Sequence, residues 1–269
     1  MRGIIFLSFL SNIDQELKMS GHSKWATIKR KKGAADAKRG QVFTRLTREI
    51  VMAAREGGPD PDSNFRLRLA IDKAKSQSMP KDNIDRAIKR ATGEAKEGES
   101  YEEVFYEGYA PKGVAVIIEC VTENRNRTVS EIRHILTRTG GNMGEVGSVA
   151  WQFKRAAVFS FDGEKFDFEK IFELAVEGGA DDVTQDDSEI EVIASVESFK
   201  TLLDMFRAAN LMPEEAGLRM IPNQEMELSL EDTLQVIRAI ESIEELDDVQ
   251  NVYSNLKISN DAMAAMESE

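Results

Sequence analysis

The apolar residues of this chain change their spacing once, near residue 100, and that change divides what the two sides can fold into. Before it they recur at helical intervals: Phe43, Leu46, Ile50 and Ala53 or Ala54, then Leu67, Ala70, Ile71 and Ala74, then Ile84, Ala87, Ile88 and Ala91. Gly57-Gly58, with Pro59 and Pro61 beyond, ends the first series, and Gly93 ends the third. The spacing predicts three amphipathic helices forming a small bundle. After it, Val114, Val116, Ile118 and Cys120 alternate with the period of a strand. The intervening Gly93 to Ser100 has no large apolar residue to offset the entropy of ordering, so it reads as a linker, and separate cores are expected on its two sides.

Beyond the linker, Val104–Tyr109 and Val114–Val121 read as strands joined by Ala110-Pro111-Lys112-Gly113. Thr128 with Glu131 matches a capping box opening a helix that Gly140-Gly141 closes, and Ser148–Phe153 reads as a strand. From Ala156 the order is strand (156–161), helix (168–177), strand (189–194), helix (197–209, with Phe199, Leu202, Leu203 and Phe206 on one stripe) and strand (216–221). Pro222 precedes a last helix capped by Ser229, followed by a strand around Val249–Leu256. The fold class is α+β. After a leader extension at residues 1–18, a basic helical domain at 19–93 is followed by an α+β domain at 101–153 plus 222–257, into which a second α+β domain at 154–221 is inserted, each a sheet with helices on one face.

Charge is partitioned as sharply as periodicity. Met19 to Gly93 holds 18 Lys plus Arg against 8 Asp plus Glu, a net of +10, whereas Glu94 to Glu269 holds 15 against 38, a net of −23. Screening acts over about 8 to 10 Å, so a chain with a net charge of −13 can still grip a polyanion with its first third. The single cysteine, Cys120, excludes an intrachain disulfide, and with only His22 and His134 besides, a structural zinc site is not expected. The apolar run Ile4–Leu10 is too short to span a bilayer and is followed by Asn12, Asp14, Gln15 and Glu16 instead of a small-residue cleavage site. It reads as an upstream extension with Met19 as a natural start, and a cytoplasmic protein with no membrane partner is expected.

The densest cationic run is Lys24, Lys29, Arg30, Lys31, Lys32, Lys38 and Arg39, seven cations in sixteen residues with Asp36 the sole acid. A solubilising tail would be redundant in so acidic a chain, which favours phosphate binding. Arg45 and Arg48 extend the run along the first helix, and Trp25 either stacks on an unpaired base or anchors the arm to the bundle. Gln77-Ser78-Met79-Pro80 between two short helices invites a helix-turn-helix reading, with Arg86, Lys89 and Arg90 facing a groove. Asp82 and Asp85 at the start of the second helix oppose base readout there. Gly140, Gly141, Gly144 and Gly147 lack the spacing of a phosphate loop and suggest left-handed turns; Asp181, Asp182, Asp186 and Asp187 lack the spacing of a calcium loop and read as a solvated acidic turn. Cys120 reads as a small core residue. No paired acid and base, nucleophile and base, or metal set emerges, so neither an enzyme nor a cofactor is expected.

The strings GHSKWATIKRKKGAADAKRG, MPKDNIDRAIKRATG, VFYEGYAPKGVA, GGNMGEVGSVAWQF and DDVQNVYSNL occur in this order, and from Met19 to about Leu256 the chain resembles the YebC/PmpR family. The resemblance implies a three-domain cytoplasmic protein. It also implies one of two activities: DNA-binding transcriptional regulation, or, as in the mitochondrial translational activators and the members linked to relief of stalled ribosomes, action in translation. The expected partner is nucleic acid, either DNA or rRNA on the ribosome, contacted through Lys24, Trp25, Lys29, Arg30, Lys31, Lys32, Lys38, Arg39, Arg45 and Arg48. The alternative is a protein-interaction scaffold using the acidic α+β domains. Oligomeric state is left open.

Overall fold

The computed structural model describes residues 36–92, 101–186 and 189–267; the predicted linker and the leader lie outside them. Three helices open the described chain: α1 (Asp36–Gly57), α2 (Phe65–Ser76) and α3 (Lys81–Ala91). Their buried faces are the predicted stripes, with Leu46, Ile50, Ala53 and Ala54 meeting Leu67, Ala70, Ala74, Ile84 and Ala87. The α1–α2 corner is closed by Asn64. Its side-chain oxygen accepts from the Leu67 amide (3.0 Å), and its amide nitrogen donates to the carbonyls of Ala53 and Gly58 (2.7 Å each). Gly57 permits that approach, since a Cβ there would stand 2.6 Å from the Asn64 side chain.

The chain then builds an antiparallel sheet in the order β3-β1-β2-β8, from β1 (Glu102–Tyr109), β2 (Ala115–Thr122), β3 (Asn142–Met143) and β8 (Val249–Ser254). β1 and β2 pair in the register Val104↔Cys120, and β2 pairs on its other side with β8. Val116, Ile118 and Cys120 face α4 (Arg125–Thr139) and α7 (Leu230–Glu244), burying Ile132, Leu136, Val236 and Ile240. A short α8 (Asn260–Glu267), not foreseen, adds Ala262 and Met266 to that core. The opposite face of β2 is covered in two parts. Ala115 and Ile117 meet Val149, Phe153 and Tyr253, while Val121, with Tyr101, joins the core of the helical bundle. The expectation of separate cores is therefore corrected: β2 alternates, and its outward side chains need cover that the bundle supplies.

Two further expectations give way to side chains that compete for backbone groups. Asn124 caps α4 by accepting from the Arg127 amide (3.0 Å), so the helix starts one turn before the Thr128 box, and Thr128 is buried within it. Of the strand expected at Ser148–Phe153 only Phe153 is strand, opening the next one: Ala150–Gln152 is a 3₁₀ turn, because the Glu107 carboxylate takes the amides of Gly147, Val149 and Ala150 (2.6, 2.6 and 2.8 Å). Of the four glycines there, Gly140 and Gly147 are left-handed, at φ 93° and 86°, whereas Gly141 and Gly144 allow close backbone and side-chain approach.

Residues 157–218 form a separate compact unit. Its sheet order is β5-β6-β4-β7, from β4 (Phe153–Asp162), β5 (Ala180–Asp186), β6 (Glu189–Ala194) and β7 (Glu215–Pro222), with α5 (Phe168–Glu177) and α6 (Phe199–Ala208) as crossovers. This is the split βαβ pattern of ferredoxin-like folds. Phe159 and Phe161 pack on Phe199 and Phe206 with ring centroids 4.9 to 5.4 Å apart. Of the supposed acidic turn, Asp181, Asp182 and Asp186 belong to strand β5 and Asp187 lies outside the described residues; Val183 and Thr184 are buried, while Asp181 and Asp182 stand exposed on the sheet edge, where charge discourages further pairing.

Replacing Asn64 with Ala removes a helix cap and orphans two carbonyls. It is expected to cost about 2 kcal/mol, read by urea unfolding followed through helical circular dichroism. A loss within error would show that water replaces the side chain.

Candidate nucleic-acid interface

Of the residues singled out for phosphate binding, Lys24, Trp25, Lys29, Arg30, Lys31 and Lys32 lie outside the described residues. For Lys38 and Arg39 the backbone alone is described, in the first turn of α1. Arg45 and Arg48 are placed differently from expectation, because α1 turns them toward the acidic corner between α7 and β8 and away from a free surface. The Arg48 guanidinium, 11% exposed, pairs with Asp248 at 3.0 Å, donates to the Asp247 carbonyl and lies over the Tyr101 ring at 5.6 Å. Burial lowers the Arg45 pKa, opposed by the nearby charges of Glu244 and Asp247.

Asp248 organises that corner. It is 2% exposed and collects Thr122 (3.0 Å), Thr128 (2.7 Å) and Arg127 (2.8 and 3.0 Å) in addition to Arg48, while its backbone carbonyl accepts from Val121 (2.8 Å). Burial pushes its carboxyl upward, but the hydrogen bonds from Arg127, Thr128 and Thr122 and the charge of Arg48 outweigh it, so the group sits below the ordinary carboxylate range. Gln41 of α1 also donates to the Glu245 carbonyl (3.1 Å), so two side chains of the first helix are tied to this loop. Sequence inspection missed Asp248 because every partner is more than a hundred residues away and Asp247-Asp248 resembles a solvated pair. Only its place in the DDVQNVYSNL string marked it.

The same economy applies to other cations of the bundle. Arg66 bridges Glu56 and Glu103, Arg68 holds the carbonyls of Pro61 and Asp62, and Lys73 meets Glu49. Arg90, assigned to a groove-facing helix, instead reaches Glu123 and lies 5.1 Å over the Tyr101 ring. Arg86 folds back on the Asp82 carbonyl and Asn83. The α2–α3 turn itself is tight: Ser78 is left-handed at φ 59° and Met79 is buried in the bundle. Among the outward residues of α2 and α3, Lys75, Lys81 and Lys89 are exposed and without an ion pair among the described residues, beside exposed Asp82 and Asp85. Lysines without partners act as mobile point charges suited to phosphate, whereas the tied arginines cannot offer a bidentate fork to a base without breaking an existing contact.

Cys120 is buried, and burial first, with Asp248 and Glu119 adding to it, pushes its thiol far above the range in which a thiolate forms. No group of His, Cys, Asp and Glu among the described residues could hold a metal, and none of the described helices is long and apolar enough to cross a membrane.

The class so defined is an α+β protein whose N-terminal helical bundle shares its core with a four-stranded antiparallel sheet, and which carries a ferredoxin-like unit between two of its strands. Residues 23–94 match the model of the TACO1/YebC protein N-terminal domain, and residues 101–256 match that of the TACO1/YebC second and third domain. The chain belongs to the TACO1/YebC family. It is 52% identical over 248 residues to a probable transcriptional regulatory protein of Trichlorobacter lovleyi, spanning 92% of this chain and 100% of that one. It is 53% identical over 249 residues to a probable transcriptional regulatory protein of Acidithiobacillus ferrooxidans, spanning 93% and 99%. The crystal structure of a conserved hypothetical protein from Aquifex aeolicus superimposes with a TM-score of 0.78 at 41% identity, covering 84% of this chain and 93% of that one.

Replacing Asp248 with Asn leaves Arg48 buried beside a neutral group and is expected to cost about 3 to 5 kcal/mol at neutral pH. A carboxyl held below its unfolded value stabilises the fold above the ordinary carboxylate range, and that contribution is lost as pH falls through the depressed value. The Asn variant should therefore lose stability less steeply than the parent as pH falls through and below the carboxylate range, measured by urea midpoints across that interval. Parallel acid limbs would remove Asp248 as their source.

Proposed function

We propose that this chain is a non-enzymatic nucleic-acid-binding regulator of gene expression, acting in the cytoplasm, that holds the phosphate backbone through residues 19–93, with the RNA of the translating ribosome as its direct target. The observation that carries the reading is the partition of charge, +10 over Met19 to Gly93 against −23 over Glu94 to Glu269. Such a field orients the basic end toward a polyanion and keeps the remainder away from it. The surface of α2 and α3 favours backbone over base contact, since Lys75, Lys81 and Lys89 are exposed while Arg86 is tied back on its own helix and Arg90 is paired with Glu123. Asp82 and Asp85 near the start of α3 would meet the acceptor-rich edges of a major groove, and an arm holding Trp25 among cations suits irregular RNA with unstacked bases better than a regular duplex.

Transcriptional regulation through DNA is the second reading, favoured by the names of the relatives. Crosslinking in cells followed by separate sequencing of bound DNA and RNA distinguishes them. Enrichment of rRNA with co-sedimentation on ribosomes supports the first; footprints at defined promoters without ribosome association support the second.

Because the bundle shares its core with the sheet, the binding surface is tested within the whole chain. Alanine at Lys29, Arg30, Lys31 and Lys32 together is expected to weaken binding on every sequence and to flatten the log-log salt slope. The slope should fall by about 0.9 for each phosphate left unneutralised on duplex, or about 0.7 on single strands. Filter binding at several salt concentrations reads this, and weakening confined to one sequence would contradict it.

A further inference from the structure

Residues 157–218 hold 4 Lys plus Arg against 16 Asp plus Glu, a net of −12 within a chain whose total is −13. On this unit α5 has two apolar faces where an ordinary surface helix has one. Ile171 and Ala175 are fully buried against the sheet. Phe168, Phe172 and Val176 recur every fourth residue on another side, where Phe172 is 45% and Val176 56% exposed, and the rings of Phe168 and Phe172 lie 5.8 Å apart. Scattered exposed apolar residues are ordinary; three in register on one helix, two of them in ring contact, form a surface that water covers at a cost. Along its border runs a second stripe with the same spacing, Glu169, Glu173 and Glu177, all exposed.

The charge of the unit selects what can cover this face. The same unit of a second copy, face to face, would bring −12 against −12. Nucleic acid and an anionic bilayer would be repelled in the same way, and a neutral apolar surface would leave the glutamates facing it without counter-charge. What remains is a polypeptide with an apolar stripe flanked by Lys and Arg, the helix-in-groove type of recognition in which spaced apolar anchors give affinity and the rim charges give register and rate. We propose that the outward face of α5, built on Phe168, Phe172 and Val176 and rimmed by Glu169, Glu173 and Glu177, docks a basic amphipathic helix of a partner protein. This surface is independent of the phosphate-binding residues at the other end of the sequence, so it stands or falls separately from the nucleic-acid reading.

The test uses the whole chain and a fluorescein-labelled helix of about 18 residues, five turns, made of Leu and Lys with the Leu on one face. One control peptide has the same composition scrambled so that the Leu share no face; another keeps the Leu face and replaces Lys with Glu. Fluorescence anisotropy at low salt should show binding of the first peptide alone. Phe172→Ser with Val176→Ser, and separately Glu173→Gln with Glu177→Gln, should each weaken it about tenfold, while Asp204→Asn on α6 leaves it unchanged. All these positions are exposed, so melting temperatures should match the parent. Equal binding of the scrambled peptide, parent-like affinity of either double variant, or no binding at all would overturn the proposal. So would a dimer in sedimentation velocity that Phe172→Ser with Val176→Ser abolishes, since the face would then belong to a second copy.

Discussion

One buried carboxylate sets how the helical bundle is joined to the four-stranded sheet. Asp248 stands at the end of α7 and the start of β8, and its contacts come from α1, from β2 and from α4. Transferring an unpaired carboxylate into such a site would cost several kcal/mol, and here two guanidinium groups and two hydroxyls offset that cost. A set of apolar side chains could fill the same volume, but would accept many rotations of α1 against the sheet. The charged set accepts few, because Arg48 must reach Asp248 while the Val121 amide pairs with the carbonyl of the same residue. The interaction is therefore better understood as fixing orientation than as adding stability.

Glu107 does for a loop what Asp248 does for a domain junction. It sits on β1, nearly fully buried, with its two oxygens committed to the backbone amides of Gly147, Val149 and Ala150. Burial raises its pKa and those three hydrogen bonds more than reverse the effect. The consequence is local geometry: the segment leading into β4 is drawn into a 3₁₀ turn, and Trp151 is set on the surface with its indole nitrogen on the Ser148 carbonyl and its own carbonyl accepting from Asn223. In both cases a carboxylate replaces a stretch of regular structure as the satisfier of main-chain or polar groups.

This explains which parts of the fold were legible in the sequence. Elements governed by periodicity were read directly, such as the helix at Phe168–Glu177 and the stripe of Phe199, Leu202, Leu203 and Phe206, since burial repeats with the helical turn. Where a polar side chain from a distant strand decides the backbone, local pattern misleads. Ser148–Phe153 has the composition of a strand, and all of it but Phe153 is denied a ladder by Glu107; Thr128-x-x-Glu131 has the form of a cap and is pre-empted by Asn124. β5 was hidden for another reason, because an edge strand needs apolar residues on part of one side only, and the aspartates that protect it look like a turn. The candidate interface was legible as charge and not as geometry. Arg45 and Arg48 continue the cationic run along α1, but a count of cations cannot see that carboxylates at 244–248 turn them inward.

Cys120 has no part in the chemistry proposed, yet its position gives the molecule an internal clock. It is the sole thiol of the chain and is sealed beneath α4 and α7 in the centre of the four-stranded sheet. A soluble thiol reagent can reach it only when those helices lift from β2, so the rate of its modification measures the opening of that core without any introduced label. Since β2 also carries Thr122 to the Asp248 cluster and Val121 to the bundle, an opening that frees the thiol without disturbing the bundle would separate two motions that equilibrium unfolding reports as one.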